Sequence, residues 1–190
     1  MIDYMFRYSI LIIFCSLLLA CSNEPKPKIK TVAKLKIEAP KFNADSAYYF
    51  VEKQVSFGPR VISSEGWEKC AIWLEKKLKE YTPNVIVQKA PVTTYDRKNH
   101  TLKNIIASFS VEKNNRIVLF AHWDSRHIAD HDTINQGSPI LGANDGGSGV
   151  GVLLEIARQL HNKKPDIGID IVLFDAEDYG QPENSKFPIM

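Results

Sequence analysis

Two strand segments constrain this chain more than any other feature. Strands are expected over residues 116–123 and 169–175, and past Arg116 and Asp170 at their starts the segments 116–121 and 170–174 are apolar rather than alternating. A strand that shows one face to water alternates; a continuously apolar one belongs to a sheet covered on both faces. The connection between them holds an expected helix over 148–161 (SGVGVLLEIARQLH), the arrangement of a parallel crossover. Further strands are expected at 84–92 and 104–111. A helix is expected at 43–55, capped by Asn43 or Asp45, and another at 65–81. In the latter, Trp67, Ala71, Leu74, Leu78 and Tyr81 recur at helical spacing on one face. The expected architecture is α/β, with a mixed, largely parallel central sheet and helices on both faces.

The second strand runs directly into Asp175, Ala176, Glu177 and Asp178. Three acids in four positions at the end of a buried strand lose hydration that something must offset. In open α/β sheets, sites form beyond the carboxyl ends of the strands. Strand 116–123 brings His122 and Asp124 to that rim, and the loop before helix 148–161 brings Asp145. Histidine and carboxylates converging with few basic partners suit a divalent metal, whose charge would offset the acids. The glycines around Ser148 fit neither a dinucleotide-binding loop nor a nucleophile elbow.

Charge and targeting divide the rest. The whole chain carries +2, but residues 22–41 hold six lysines against Glu24 and Glu38, which leaves −2 from Phe42 onward. A basic excess confined to a linker argues against nucleic-acid binding. Arg7 precedes an apolar run at 8–20 that is shorter than the ~20 residues a membrane span needs. Residues 1–20 therefore read as a signal peptide. The sequence LLAC ending at Cys21 resembles a bacterial lipobox, in which the cysteine is lipidated. Residues 21–41 read as a lipid-anchored linker and 42–190 as catalytic domain, placing the protein at the cell envelope, periplasm-facing or exported. Cys15 leaves with the signal, Cys21 carries lipid, and Cys70 falls in a helical pattern as a small core residue, so no disulfide is expected.

The segments AHWDSR, PILGANDGGSGVGVLLEIARQL and IDIVLFDAEDYG, in that order, resemble the bacterial lipoprotein-type glutaminyl-peptide cyclotransferases. These glutaminyl cyclases belong to the zinc aminopeptidase superfamily. FGPRV at 57–61 is similar to the family's opening segment, although Ile62 and Ser63 replace its usual PG. The resemblance implies that Asp145 and Asp178 bind zinc and that Glu177 is the general acid/base. It implies supporting roles for His122, Asp124 and Asp175, with His122 a ligand only in the two-zinc aminopeptidases. The implied reaction converts the N-terminal glutamine of a peptide to pyroglutamate with release of ammonia. A zinc aminopeptidase and a non-catalytic lipoprotein remnant are the alternatives. The family's third zinc ligand is a histidine far downstream of DAED, and no histidine follows Asp178 here. The resemblance thus implies the N-terminal part of a longer enzyme, with weak zinc binding and no turnover by this chain alone.

Overall fold

The computed structural model describes residues 39–182. The signal peptide, Cys21 and the linker up to residue 38 lie outside the described residues. Among those described, no helix is long and apolar enough to cross a membrane.

Two helices lead. Helix α1 spans Ala44–Val55, and Asn43 caps it by accepting the Ser46 N–H at 3.0 Å. Helix α2 spans Glu65–Lys79, and Ser64 accepts the Trp67 N–H. The expected apolar face of α2 is buried through Trp67, Cys70, Ala71, Leu74 and Leu78. Tyr81 falls just past the helix end, half-buried against the same core. Cys70 is a core residue whose thiol is pushed up to about 12 by burial.

Strands β1 (Val85–Thr93) and β2 (Asn99–Phe109) form an antiparallel hairpin. Strand β3 (Arg116–His122), helix α3 (Gly147–Asn162) and strand β4 (Gly168–Phe174) complete the set. The sheet order is β1-β2-β4-β3. The expected crossover is present: β3 and β4 pair in parallel with α3 between them in sequence. The sheet is mixed, because β4 pairs antiparallel with β2 on its other side.

Register sorts the side chains into two faces. Val87, Ile105, Leu173 and Ala121 form one row across the sheet, and Val85, Ala107, Ile171 and Leu119 form the next on that face. This face packs with Trp67, Leu74 and Leu78 of α2 and with Val150, Leu154 and Ala157 of α3 into one core. Helix α1 lies on α3, where Gly151 allows close approach to the Ala47 carbonyl. The opposite face carries the row Ile86–Ile106–Val172–Phe120. Among the described residues it stays open: Ile86 is 64% and Phe120 68% exposed. The expected helix cover on both faces is therefore described for one face only, because α2 and α3 pack on the same side and α1 stacks behind α3. The apolar runs at 117–121 of β3 and 171–174 of β4 still place apolar side chains on both faces.

Candidate metal centre

The parallel pair sets the site. His122 ends β3 in register with Phe174, which ends β4. The Trp123 N–H donates to the Phe174 carbonyl at 2.9 Å and carries the ladder one step further. Both chains then leave the sheet at the same rim. After Phe174 the backbone turns through Ala176, whose φ of 62° lies in the left-handed region. That turn brings Glu177 and Asp178 back over the sheet end.

Asp145 arrives from the N-terminus of α3. The N-cap Gly146 sits against His122, and any Cβ there would collide with the His122 carbonyl and imidazole. Glycine at this position lets the helix start come close enough for the Asp145 carboxylate to reach His122 Nε2 at 2.9 Å.

His122, Asp145 and Asp178 form the cluster. One ligand atom from each lies within 4.8 Å of the other two. Glu177 stands beside it, 3.8 Å from His122 Nδ1 and largely exposed. His122 and Asp178 are mostly buried, and Asp145 opens to solvent. Two buried atoms at the centre, His122 Nδ1 and Asp178 Oδ2, have no hydrogen-bond partner.

The local field is strongly negative. Asp124, whose carboxylate lies 3.5 Å from His122 Nδ1, raises the imidazole to about 9 with help from Glu177 and Asp145 and against the opposing effect of burial. Burial together with the charges of Asp145 and Asp124 raises the Asp178 carboxyl. A histidine and an aspartate shifted upward together signal a surplus of carboxylate charge. A divalent cation would compensate it, and one imidazole with two carboxylates is a donor set that zinc accepts. The orphaned Asp178 oxygen supports the same fit.

A supporting layer lies beneath. Asp124 is 1% exposed and accepts the backbone N–H groups of Glu177 at 3.2 Å and Asp178 at 3.0 Å. Asp175 does not face the cluster. Its carboxylate accepts the Trp67 indole N–H on both oxygens, at 2.9 and 3.0 Å, with the Lys103 and Ala176 N–H groups. Burial lifts its carboxyl to about 6 even so. Arg126 pairs with Asp130 through two bonds of 2.7 and 2.6 Å and places Nη1 3.9 Å from Asp178 Oδ1. Sequence reasoning missed Arg126 as a site residue, although its place two residues after Asp124 was a usable signal. It also missed the indole of Trp67, which helical spacing assigns only to the core face.

Residues 104–183 match the model of Peptidase family M28. The crystal structure of Tannerella forsythia glutaminyl cyclase superposes with a TM-score of 0.76 at 54% identity, over 78% of this chain and 52% of that one. These matches fit the zinc aminopeptidase superfamily. A Zn-dependent exopeptidase from Parabacteroides distasonis is 50% identical, with a TM-score of 0.77 over 80% of this chain and 53% of its own. The Escherichia coli protein YfbL is 35% identical over 52% of this chain and 31% of its own. The chain thus spans about half the length of these solved relatives and about a third of that curated one.

Proposed function

We propose that this chain carries the zinc-binding rim of a glutaminyl-peptide cyclotransferase that acts on peptides with an N-terminal glutamine. The observation that carries the reading is the His122–Asp145–Asp178 cluster with Glu177 beside it, the acid pair being held by one buried carboxylate, Asp124. The 54% identity to a solved glutaminyl cyclase supports the choice of reaction.

Asp145 and Asp178 would hold the zinc; His122, the third group of the cluster, would be a ligand only in the two-zinc alternative below. When bound, the ion supplies Lewis acidity toward the γ-carbonyl of the glutamine side chain. Glu177 takes a proton from the α-amine as that nitrogen attacks the carbonyl carbon of the side-chain amide (Cδ), and returns it to the amide nitrogen as the Cδ–N bond breaks. Ammonia leaves and the pyroglutamyl ring remains. The exposed side chain of Glu177 leaves it free to swing between the two nitrogens, while Asp124 fixes its backbone.

Glu177→Gln tests the reading. Introduced into a form of the enzyme that turns over a Gln-peptide, it removes the proton carrier while leaving the three clustered groups in place, so ammonia release should fall by about 10²–10⁴-fold at unchanged zinc content. Turnover equal to wild type would remove Glu177 from the role. A zinc aminopeptidase is the second reading, favoured by the place of His122 inside the cluster and by the P. distasonis exopeptidase. It would bind two zinc ions and release a free amino acid instead of ammonia. A protein that does neither would be the non-catalytic remnant.

We also propose a lipid anchor on Cys21, supported by LLAC and the basic linker. Cys21→Ser should move the signal-cleaved protein from the membrane to the soluble fraction, and membrane retention would refute the anchor.

A further inference from the structure

Arg60 is fully buried, yet among the described residues no carboxylate hydrogen-bonds to its guanidinium. Each nitrogen of the fork instead donates to a backbone carbonyl: Nε to Trp123 at 2.8 Å, Nη1 to Leu141 at 2.6 Å and Nη2 to Gly142 at 2.8 Å. Burying a cation without a paired anion is costly, so the positions of these carbonyls matter. Trp123 lies between His122 and Asp124. Leu141 and Gly142 open the loop that delivers Asp145.

The backbone around Arg60 joins the same two segments. Its N–H donates to Ser125 Oγ at 2.9 Å, its carbonyl accepts the Ser125 N–H, and Ser125 Oγ donates to the Ile140 carbonyl at 3.0 Å. Gly142 sits at φ 58°, where a Cβ would press on Ser125, on the Asp145 carbonyl and on Arg60 itself. The Gly142 carbonyl also accepts the Gly147 N–H in the first turn of α3. One planar cation thus spans the strand end bearing His122 and the loop bearing Asp145.

We propose that Arg60 is a positioning residue that sets the separation of His122 and Asp145, and through it the affinity of the metal centre. The proposal rests on the metal reading of the cluster. Lysine keeps the charge but has no planar fork, so it cannot serve three carbonyls on two segments in the same geometry.

The test uses the whole chain with Co²⁺ as probe. Arg60→Lys should fold cooperatively and bind Co²⁺ at least about tenfold more weakly, with an altered visible spectrum. Arg60→Ala should lose Co²⁺ affinity and regain most of it when guanidinium is added far below unfolding concentrations, whereas ethylammonium should not restore it. Wild-type affinity and spectrum in Arg60→Lys would overturn the proposal, as would no recovery by guanidinium. Amide exchange provides the arm that needs no metal. In Arg60→Lys, protection should fall in residues 122–125 and 141–148 while β4 stays protected. A uniform loss of protection, or failure of both variants to fold, would make Arg60 a core residue only and overturn the assignment. If the wild-type chain binds no Co²⁺, the metal reading falls by itself and amide exchange alone decides the role of Arg60.

Discussion

Asp124 Oδ2 accepts the backbone N–H of Asp178 at 3.0 Å. The other oxygen accepts the N–H of Glu177, so one carboxylate orders two consecutive residues with different proposed tasks. His122 Nδ1 lies 3.5 Å from that same oxygen. Asp124 therefore ties both strand ends together from below, without itself belonging to the cluster.

Asp124→Asn should separate this support from the site. The amide keeps the shape, but its NH₂ end would confront a backbone N–H. Leaving a buried donor unsatisfied costs about 1–3 kcal/mol. Zinc affinity should fall by about 10–100-fold, read by competition with a chromophoric chelator. Unchanged affinity would mean that the turn holds its shape without Asp124.

Asp175→Asn should act on stability instead. Asp175 receives the Trp67 indole, Lys103 and Ala176 N–H groups and so ties α2 and β2 to the turn after β4. An amide can accept on one side only, and its NH₂ must face a donor on the other. Urea unfolding should show a loss of about 1–3 kcal/mol. A neutral result would show that the local backbone relaxes around the new donor.

The sequence made the supporting frame legible where its causes are local. The Asn43 cap, the Trp67–Leu78 face and the β3–α3–β4 crossover all follow from spacing within one element. Strand β2 starts at Asn99, earlier than expected, because its first residues pair with Thr93 and its neighbours in a projecting hairpin. Those residues are polar and show no apolar period. The turn that sets their register, with Arg97 at φ 62° and the Thr94 N–H on the Lys98 carbonyl, carries no glycine to announce it. At the site, residue types and strand ends located His122, Asp145, Glu177 and Asp178. The role of Arg60 was not legible, because its partners lie 63 to 82 positions away and are backbone carbonyls, which any residue supplies.

Acid should weaken the contact of α1 with α3 through Glu155. This carboxylate is fully buried and accepts from Arg158 Nε at 2.6 Å, Gln159 Nε2 at 2.7 Å and the Asn43 N–H at 3.0 Å. The Arg158 bonds chiefly, with help from Gln159 and Asn43 and against burial, lower it from 4.5 to about 2. A depressed carboxyl stabilises the fold above its unfolded value, and that contribution is lost as pH falls from 4.5 toward 2. At ~1.4 kcal/mol per unit, the loss reaches at most about 3 kcal/mol. Asp130, likewise lowered to about 2, titrates in the same window. The decisive comparison is therefore between wild type and Glu155→Gln: thermal midpoints should converge as pH falls through this range. Parallel curves would mean that Glu155 does not drive the acid response.

The open sheet face predicts self-association of this chain. Val118 is 54% and Phe120 68% exposed on edge strand β3, and Phe120 packs edge-on against Phe174, which is itself 40% exposed. The row continues through Val172 and Ile106 to Ile86, so the apolar strip crosses all four described strands. A contiguous apolar strip next to an edge with free backbone groups favours pairing with another chain. Sedimentation velocity should show a mass that rises with protein concentration. Phe120→Glu places a charge at the most exposed point of the strip and should shift the distribution toward monomer. Phe120 contributes nothing to the helix-covered core, so the thermal midpoint of the variant should change little. A wild-type chain that stays monomeric at high concentration would refute the prediction.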